Sequence, residues 1–526
     1  MKNISLLICL TILCNKMLAQ APAIQWQKCL GGTGTDVPWQ VQPTADGGFI
    51  VCGSSGSNDG QVTGHHGVTA MPDCWIVKLD AAGLIEWQKS YGGSSYETAN
   101  SVLQTPDGGY IFAGGTYSSD GDVTSNHGGY DFWVVKLNDT GAILWQKTYG
   151  GSGSDEAYSI VRSADNSYVV AGYNESTDGQ VTGHHGIVTN PNYWIIRIND
   201  TGALIWQRSL GGSQMCAAFG VDNTHDGGII AVGYGYSNDG DITGHHGDSS
   251  QGDIWVVKLD GYGSLVWEKS LGGTWDDEAY SIQATYDGGY IIGGISGSSD
   301  GDITDHIGPA YDMNVWMVKI NDTGAIEWSR THGGSVGDMS WSVQQTSDSC
   351  YVVAGYTQSN DIDVSGNHGI SDYWVLKMDD TGAILWQKCL GGTSADMAQC
   401  VRQTYDGFIV AGRTISNDSQ VSGNHGNMDY WVVKLRDTIS HVPLMAGNNQ
   451  HPTVTIFPNP TSGTINISGI AEPQTIVYNT LGQIVITKTK ANEISVAELP
   501  TGLYLVRVFD KQGNLLKQEK VVKTGE

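Results

Sequence analysis

The stretch DFWVVKLNDTGAILWQKTYGG, residues 131–151, decides the fold of this 526-residue chain. Two runs rich in β-branched and aromatic residues flank the turn NDTG, and each run carries one tryptophan, Trp133 or Trp145. Apolar runs of this length joined by a short Asp/Gly turn predict a β-hairpin.

Both halves of this hairpin recur along the chain. The first tryptophan context is that of Trp75, Trp133, Trp194, Trp255, Trp316, Trp374 and Trp431. The second is that of Trp26, Trp87, Trp145, Trp206, Trp267, Trp328 and Trp386. The spacing between equivalent tryptophans is 57 to 61 residues, and a fixed period of this size is typical of solenoids, propellers and arrays.

Each repeat contains four strand-like runs. In the second repeat they are ETANSVLQT, YIFAGGT, DFWVVKLND and AILWQKTYGG. Four antiparallel strands per repeat, apolar on both faces, predict the stacked blades of a β-propeller. The chain begins with a fourth-type strand, AIQWQKCLGG, and the last repeat stops after a third-type strand, YWVVKLRD. Pairing these two strands closes the ring, so we predict seven blades over residues 20–437.

The repeats resemble kelch-type and related bacterial propeller repeats over residues 24–436. The shared features are the double glycine after the second strand (FAGG, IIGG), the long connection to the third strand and the tryptophan of the fourth. This resemblance implies a fold, but such propellers include binding scaffolds and oxidases alike, so it does not imply a function.

The first nineteen residues read as a signal peptide. Lys2 precedes an apolar run of about 11 residues, which is too short to span a bilayer. We predict cleavage between Ala19 and Gln20, and no later segment is apolar enough to cross a membrane. The protein is therefore predicted to be exported.

After a predicted linker, residues 438–450, the composition changes. Residues 451–526 lack tryptophan and contain the blocks VTIFPNPTSGTINISG, IVYNTLGQIV, ELPTGLYLVRV and KQEKVVKT in that order. They closely resemble the type A C-terminal sorting domain of type IX secretion cargo. The resemblance implies a small β-sandwich recognised by the outer-membrane translocon of a Gram-negative bacterium, and a product that is secreted or anchored at the cell surface.

The charge balance excludes one class of partner. There are 54 acidic against 27 basic residues, a net charge of −27, which argues against nucleic acid and favours cations, basic partners or simple solubility. Of nine cysteines, two lie in the signal peptide and the other seven occupy no recurring position. Core packing is favoured over a disulfide framework, and Cys52 with Cys74 is the pair expected on neighbouring strands.

Strand order predicts one working surface. The long loops between second and third strands, such as SNDGDITGHHG at 237–247, share a face with the loops between fourth and first strands. We call this the long-loop face. Acidic residues that precede the inner strands are expected to ring the channel mouth there: Asp36, Glu97, Asp155, Asp277, Asp338 and Asp396, with Cys216 in the seventh place.

The long loops themselves admit two interpretations. Four of them carry paired carboxylates, Asp120/Asp122, Asp239/Asp241, Asp300/Asp302 and Asp361/Asp363, which suit calcium. Gln61, Gln180 and Gln420 replace the second carboxylate elsewhere, so a turn held by its own hydrogen bonds is the other interpretation. The recurring second histidine, as in His245-His246, is expected to contact neighbouring loops rather than zinc.

Function is predicted from this face. Trp275 is the best candidate for an exposed ligand contact, whereas Trp39 and Trp341 are expected to fill a core position on the inner strand. No repeat acquires a distinct acid, base and nucleophile, so we predict a non-enzymatic propeller that binds a glycan, matrix or envelope partner. The alternatives are a purely structural envelope protein and a glycan-active hydrolase using two carboxylates.

Overall fold

A computed structural model describes residues 20–437, 455–458, 461–468, 470, 473–479, 484–509 and 515–524. The predicted signal peptide and linker lie outside these residues. The chain divides into two compact units, residues 1–441 and 442–526, and the division falls within the predicted linker. No helix in the described part of the chain has the length and apolarity needed to cross a bilayer.

The first unit is a seven-bladed propeller of four-stranded antiparallel sheets, as predicted. Blade 1 contains β2 (Asp36–Pro43), β3 (Phe49–Ser55), β4 (Asp73–Leu79) and β5 (Ile85–Tyr91). Blade 2 contains β6 (Glu97–Gln104), β7 (Tyr110–Thr116), β8 (Asp131–Leu137) and β9 (Ile143–Tyr149). Blade 3 contains β10 (Asp155–Arg162), β11 (Tyr168–Asn174), β12 (Asn192–Ile198) and β13 (Leu204–Leu210).

The next three blades repeat this order. Blade 4 contains β14 (Cys216–Asn223), β15 (Ile229–Gly235), β16 (Asp253–Leu259) and β17 (Leu265–Leu271). Blade 5 contains β18 (Asp277–Ala284), β19 (Tyr290–Ser296), β20 (Asn314–Ile320) and β21 (Ile326–His332). Blade 6 contains β22 (Asp338–Gln345), β23 (Tyr351–Thr357), β24 (Asp372–Met378) and β25 (Ile384–Leu390).

Blade 7 joins the two ends of the propeller. It contains β26 (Asp396–Thr404), β27 (Gly407–Thr414), β28 (Asp429–Arg436) and the first strand of the chain, β1 (Ala23–Leu30). Strands β1 and β28 pair antiparallel, and Trp431 Nε1 donates to Gln27 Oε1 at 2.8 Å. The predicted closure of the ring is therefore confirmed.

The two recurring tryptophans have different structural roles. The third-strand tryptophan is fully buried, and Trp75 Nε1 donates to Gln88 Oε1 on the next strand at 2.7 Å. The fourth-strand tryptophan reaches the following blade, where Trp26 Nε1 donates to Ala81 O in the hairpin turn at 3.2 Å. Gly83 of that turn has φ +76° and would place a Cβ 2.9 Å from the Trp26 ring, which explains the glycine that ends each turn between third and fourth strands.

The apolar cores lie between successive blades rather than around one centre. One core combines Val41, Val51 and Trp75 of blade 1 with Ile409 and Tyr430 of blade 7. Equivalent clusters join the remaining blades. All seven described cysteines are free, and six are buried, so Cys52 and Cys74 pack in a core without forming a disulfide.

The second unit is a small β structure with two sheets. Its strands are β29 (Thr455–Phe457), β30 (Thr464–Ser468), β31 (Gln474–Tyr478), β32 (Ile484–Thr489), β33 (Glu493–Ser495), β34 (Gly502–Phe509) and β35 (Leu515–Lys523). One sheet has the order β29-β30-β33 and the other β32-β31-β34-β35. Ile465 and Ile494 of the first sheet and Val477 and Val506 of the second share one buried cluster, as in a sandwich.

Candidate functional site

The channel at the centre of the propeller is lined by residues that the inner strands turn towards it. In every inner strand the pairing register shifts by one residue, and the residue skipped by the shift faces the channel. A β-bulge of this kind re-aims one side chain and is common beside functional sites. We call these residues the channel belt: Trp39, Asn100, Tyr158, Phe219, Tyr280, Trp341 and Gln399.

A glycine opposite each bulge makes the bulge possible. The second-strand residue that pairs just before the shift is Gly53, Gly114, Gly172, Gly233, Gly294, Gly355 or Gly412. A Cβ on Gly294 would lie 2.0 Å from Glu278 O, and a Cβ on Gly114 would lie 1.8 Å from Thr98 O. Only glycine fits so close to a backbone carbonyl, and this accounts for the glycine shared by all seven repeats.

Four of the five aromatic members of the belt contact one another in succession. Ring centroids lie 4.8 Å apart for Tyr158–Phe219, 5.2 Å for Phe219–Tyr280 and 4.3 Å for Tyr280–Trp341. Sequence reasoning assigned Trp39 and Trp341 to a core position, but both are half-buried and line the channel. The bulge turns these two side chains into the channel, and no unusual residue within the inner strand marks its position.

The belt divides the channel into two chambers. The inner strands run from the long-loop face to the face of the short turns. Residues before the belt therefore lie towards the long-loop face, and residues after it lie towards the short turns. The upper chamber, of about 430 Å³, is lined by Trp39, Tyr96, Thr98, Asn100, Glu156, Tyr158, Phe219, Glu278, Tyr280, Trp341 and Gln399. Tyr96 is also exposed on the long-loop face, so the upper chamber opens there.

Two glutamates stand in this upper chamber beside the aromatic rings. Glu156 accepts hydrogen bonds from Asn100 Nδ2 and Tyr158 OH, both at 3.1 Å, and Glu278 accepts one from Tyr280 OH. Burial raises the pKa of Glu156 to about 7 and also raises the pKa of Glu278. Sequence reasoning did not single out either residue, although both interrupt a position that is apolar or neutral in the other five repeats.

A groove continues from the upper chamber across the long-loop face. It has a volume of about 660 Å³ and shares Tyr96 with the chamber. Its other walls come from the loops that surround blade 1, including Thr33, Asn58 and Asn427. A ligand with one group in the chamber could therefore lie along the surface in the groove.

The lower chamber, of about 340 Å³, has a different polar lining. Gln283 Oε1 of blade 5 accepts the Gln345 N–H of blade 6 at 2.6 Å. Equivalent inter-blade bonds join Val102 N to Gln40 Oε1, Gln403 N to Gln344 Oε1, and Ala284 N to Asp222 Oδ2. The polar groups of this chamber thus hold neighbouring inner strands together.

The acidic residues predicted to ring the channel mouth lie elsewhere. Asp36, Glu97, Asp155, Asp277, Asp338 and Asp396 are each 0 % exposed, and Cys216 in the seventh place is buried too. Asp155 is typical, since its oxygens accept hydrogen bonds from Gly151 N, Ser176 Oγ and Ser176 N. The side chain of the first residue of each inner strand points between blades. The residue that follows it, Glu156 in blade 3, faces the channel.

These buried acids meet a second set that begins each third strand. Asp131 Oδ1 and Asp155 Oδ2 both lie within 3 Å of the position that a Cβ would take on Gly150. The second set is Asp73, Asp131, Asn192, Asp253, Asn314, Asp372 and Asp429, and all are buried. Burial raises the pKa of Asp131 to about 6 and that of Asp277, which faces Asp253, to about 7.

The histidines of the long loops support this second set. His66 Nδ1 lies 2.8 Å from Asp73 Oδ2, and His66 Nε2 lies 3.8 Å from Asp122 Oδ2 in the loop of the next blade. His185 reaches Asp241 in the same way, at 3.2 Å. The second histidine therefore bridges neighbouring loops, as predicted.

The long-loop carboxylates proposed as calcium ligands accept backbone hydrogen bonds. Asp120, Asp239, Asp300 and Asp361 accept N–H groups of the preceding fourth-to-first loop at 2.7–2.8 Å. Asp122, Asp241, Asp302 and Asp363 each accept the N–H of the first glycine in that loop at 3.2–3.4 Å. Gln61 Oε1 accepts the same bond from Gly31 N at 2.9 Å, which explains why glutamine can replace the carboxylate.

Among the described residues, no group of three or more His, Cys, Asp or Glu side chains is arranged to hold a metal ion. The hydrogen bond from Ser94 N lowers the pKa of Asp120, so the carboxylate is already stabilised in its charged form. Calcium binding therefore stays one of two open interpretations of these loops.

Trp275 lies on the long-loop face but outside the channel. Its side chain is 38 % exposed and packs edge-on against Tyr311, which is 62 % exposed, with centroids 5.7 Å apart. Tyr311 comes from the long loop of blade 5, so the structure brings together aromatic side chains from two different loops of this face. The pair forms an exposed aromatic patch separate from the upper chamber.

One family model matches the chain. Residues 455–524 match the secretion system C-terminal sorting domain. The predicted sorting domain is confirmed, and the protein is therefore type IX cargo and a secreted or cell-surface protein of a Gram-negative bacterium. None of the curated proteins compared with the chain matches it.

Several solved structures are similar to the chain at low identity. They include Sqt1 from Chaetomium thermophilum (10 % identity, TM-score 0.40, covering 78 % of this chain and 100 % of that chain). Others are the Pan2 WD40 domain of Neurospora crassa (7 %, 0.33, 65 % and 97 %) and puromycin hydrolase (10 %, 0.43, 90 % and 59 %). These scores are too low to carry an argument about function, and the kelch-type resemblance stays a prediction.

Proposed function

We propose that this protein is a secreted, non-enzymatic binding protein that holds a glycan, matrix or envelope partner at its long-loop face. The upper chamber is the binding pocket of this proposal, and the groove beyond Tyr96 receives the rest of an extended ligand. The observation that carries it is the aromatic belt, because its five aromatic side chains are half-buried and line an open chamber instead of being enclosed in the blade cores. Such concave sites with a few convergent polar groups are typical of ligand pockets.

The two glutamates support binding rather than catalysis. Each is followed two residues later by a tyrosine whose hydroxyl donates to it, so Glu156 and Glu278 have similar surroundings. Acid and base catalysis requires carboxyl groups whose environments separate their roles. A glycan-active hydrolase is the second candidate, favoured by one observation: a pKa of about 7 would keep part of Glu156 protonated as a general acid.

Binding is tested with a panel of soluble oligosaccharides and synthetic peptides applied to the purified full chain. Affinities are compared with those of Trp341→Ala, which removes one wall of the chamber, and of Trp275→Ala, which removes an aromatic of the same face outside it. We expect Trp341→Ala to weaken binding about tenfold or more and Trp275→Ala to have little effect. Thermal unfolding of both variants checks that the propeller remains folded.

Two results would contradict the proposal. If no member of the panel binds in a way that depends on Trp341, the purely structural alternative is favoured. If chromogenic glycosides are turned over and Glu156→Gln abolishes the turnover, the hydrolase alternative replaces the binding proposal.

A further inference from the structure

The upper chamber contains two acidic side chains that no basic residue in its described lining balances. Of the described residues that line it, two are glutamates and none is a lysine, arginine or histidine. The partners of Glu156 are an amide and a phenol, and the partner of Glu278 is a phenol. These neutral donors replace only part of the solvation that burial removes.

One further carboxylate near the chamber adds to this charge. Asp276, which accepts hydrogen bonds from Gly252 N and Tyr236 OH, contributes to the raised pKa of Glu278. Arg413, on the second strand of blade 7, donates to Met397 Sδ at 3.1 Å and is not among the residues that line the chamber. The chamber is therefore an acidic cavity with aromatic walls.

The lower chamber shows that the same channel can balance its charges. Its carboxylate, Asp222, accepts a backbone N–H from the next blade, and Arg402 lies in the same lining. Burial raises the pKa of Asp222, and the hydrogen bond from Ala284 N and the charge of Arg402 oppose part of this rise. The described lining of the upper chamber contains no basic residue that could oppose burial in this way.

Aromatic faces and carboxylates together recognise one ligand chemistry. A cation placed over an aromatic ring is attracted by the negative face of the ring, and the attraction grows when both are shielded from water. An ammonium or guanidinium group would also pair with the glutamates, while an apolar stem would pack against Phe219 and Trp341. A neutral sugar would use the rings but would leave the two charges unpaired.

We propose that the upper chamber binds an organic cation, an ammonium or guanidinium group on an apolar stem. The inference rests on the proposed binding function and specifies its ligand. The cation could come from a lysine or arginine side chain of a polypeptide that lies in the groove, or from a free amine. Both sources present the same chemistry to the chamber.

The test uses the purified full chain with n-butylguanidinium and n-butylammonium, and with n-butanol as the neutral probe of similar shape. Binding is measured by calorimetry and by saturation-transfer NMR of the probe. We expect each cation to bind at least about tenfold more tightly than n-butanol. The double variant Glu156→Gln/Glu278→Gln should lose this preference, because it keeps the shape of the side chains and removes their charge.

A matched control is Glu175→Gln, which makes the same charge change on the long-loop face outside the chamber. It should leave the affinity for the cations unchanged. Affinity should also rise between pH 6 and pH 8, since the pKa of Glu156 is about 7 and the cation binds the ionised form. Thermal unfolding of all variants excludes misfolding as the cause of lost binding.

A peptide arm distinguishes the two sources. A polypeptide source predicts that a blocked peptide with one central arginine binds more tightly than n-butylguanidinium, because its backbone also contacts the groove. A free amine as the source predicts no gain from the peptide. Either result supports an organic cation as the ligand.

The inference is overturned if n-butanol binds as tightly as the cations, or if the double glutamine variant keeps full affinity for them. If the oligosaccharide and peptide panel still binds in a way that depends on Trp341, the proposed function survives this failure. If dependence on Trp341 is lost as well, both proposals fail.

Discussion

The two chambers of the channel use polar residues in different ways. In the lower chamber, glutamines and Asp222 accept backbone N–H groups of the next blade, so their hydrogen bonds are part of the ring. In the upper chamber, Glu156 accepts side-chain hydrogen bonds from Asn100 of the preceding blade and from Tyr158, and Glu278 accepts one from Tyr280, so no backbone N–H depends on these carboxylates in the bonds described. Removing a polar group from the first region should cost stability, whereas removing a charge from the second should not.

The largest expected effect comes from breaking the belt that separates the chambers. Gly294→Ala would place a methyl group 2.0 Å from Glu278 O, so the bulge that turns Tyr280 into the channel cannot form unchanged. We expect a loss of about 3 kcal/mol in the free energy of unfolding, measured by urea denaturation. Gly337→Ala is the control, since a Cβ there meets nothing within 4 Å. Equal stability of the two variants would show that the bulge is dispensable.

A smaller effect compares the chambers directly. Gln283→Ala leaves the Gln345 N–H of the next inner strand without its acceptor, so we expect a loss of about 1.5 kcal/mol. Glu278→Gln, in the upper chamber, should leave stability at pH 8 unchanged or raise it, because it removes a desolvated charge. Urea denaturation of both variants measures the difference. If Glu278→Gln destabilises the protein as much as Gln283→Ala does, the distinction between the chambers is wrong.

The pH dependence of stability gives a third comparison. The pKa values of Glu156 and Asp277 are raised to about 7 and that of Asp131 to about 6. Each of these pKa values is higher in the folded state than in the unfolded state, so the folded state binds more protons at pH values between the two. The stabilisation that this proton binding provides is lost as pH rises through 6–7. We expect the melting temperature to fall between pH 5 and pH 8.

The variant Glu156→Gln should reduce this fall by removing one of the titrating groups. Below about pH 4 the sign reverses, because Asp46, Asp226 and Asp287 have pKa values lowered to about 2, and each bonds a lysine. A melting temperature that rises steadily from pH 5 to pH 8 would contradict the raised pKa values.

The smallest expected effect concerns calcium and the carboxylates of the long loops. The loop carboxylates already accept backbone hydrogen bonds, so addition of calcium after EDTA should change the melting temperature of the full chain by no more than a few degrees. A large, saturable increase would show that the loops bind calcium. Asp120→Asn is the variant to compare, since it keeps the acceptor and removes the charge.

The repeat pattern was sufficient to predict the architecture. The regular spacing of Trp75 and its equivalents and the displaced fourth strand at the N-terminus led directly to seven blades and to ring closure. The blocks around Phe457 and Gly502 were equally sufficient for the sorting domain. These features follow from local patterns that each repeat or block contains in full.

The candidate site could not be predicted in the same way. Asp155 was expected at the channel mouth because it begins an inner strand, but its side chain points between blades and Glu156 faces the channel. The alternation of the strand decides which of the two successive residues faces the channel, and the types of Asp155 and Glu156 do not reveal it. One signal was available, since the acid recurs in six repeats whereas the position of Glu156 varies, and a repeated residue points to the fold rather than to a ligand.

The pairing of β1 with β28 has a consequence for export. The bond between Gln27 and Trp431 joins residues 404 positions apart, so the ring closes only when the whole propeller sequence is available. Contacts at such separation are slow to form, and the edges of β1 and β28 stay unpaired until then. Until blade 7 is complete, the chain exposes these two strand edges. We therefore expect it to be more sensitive to proteolysis and self-association during secretion than the closed propeller.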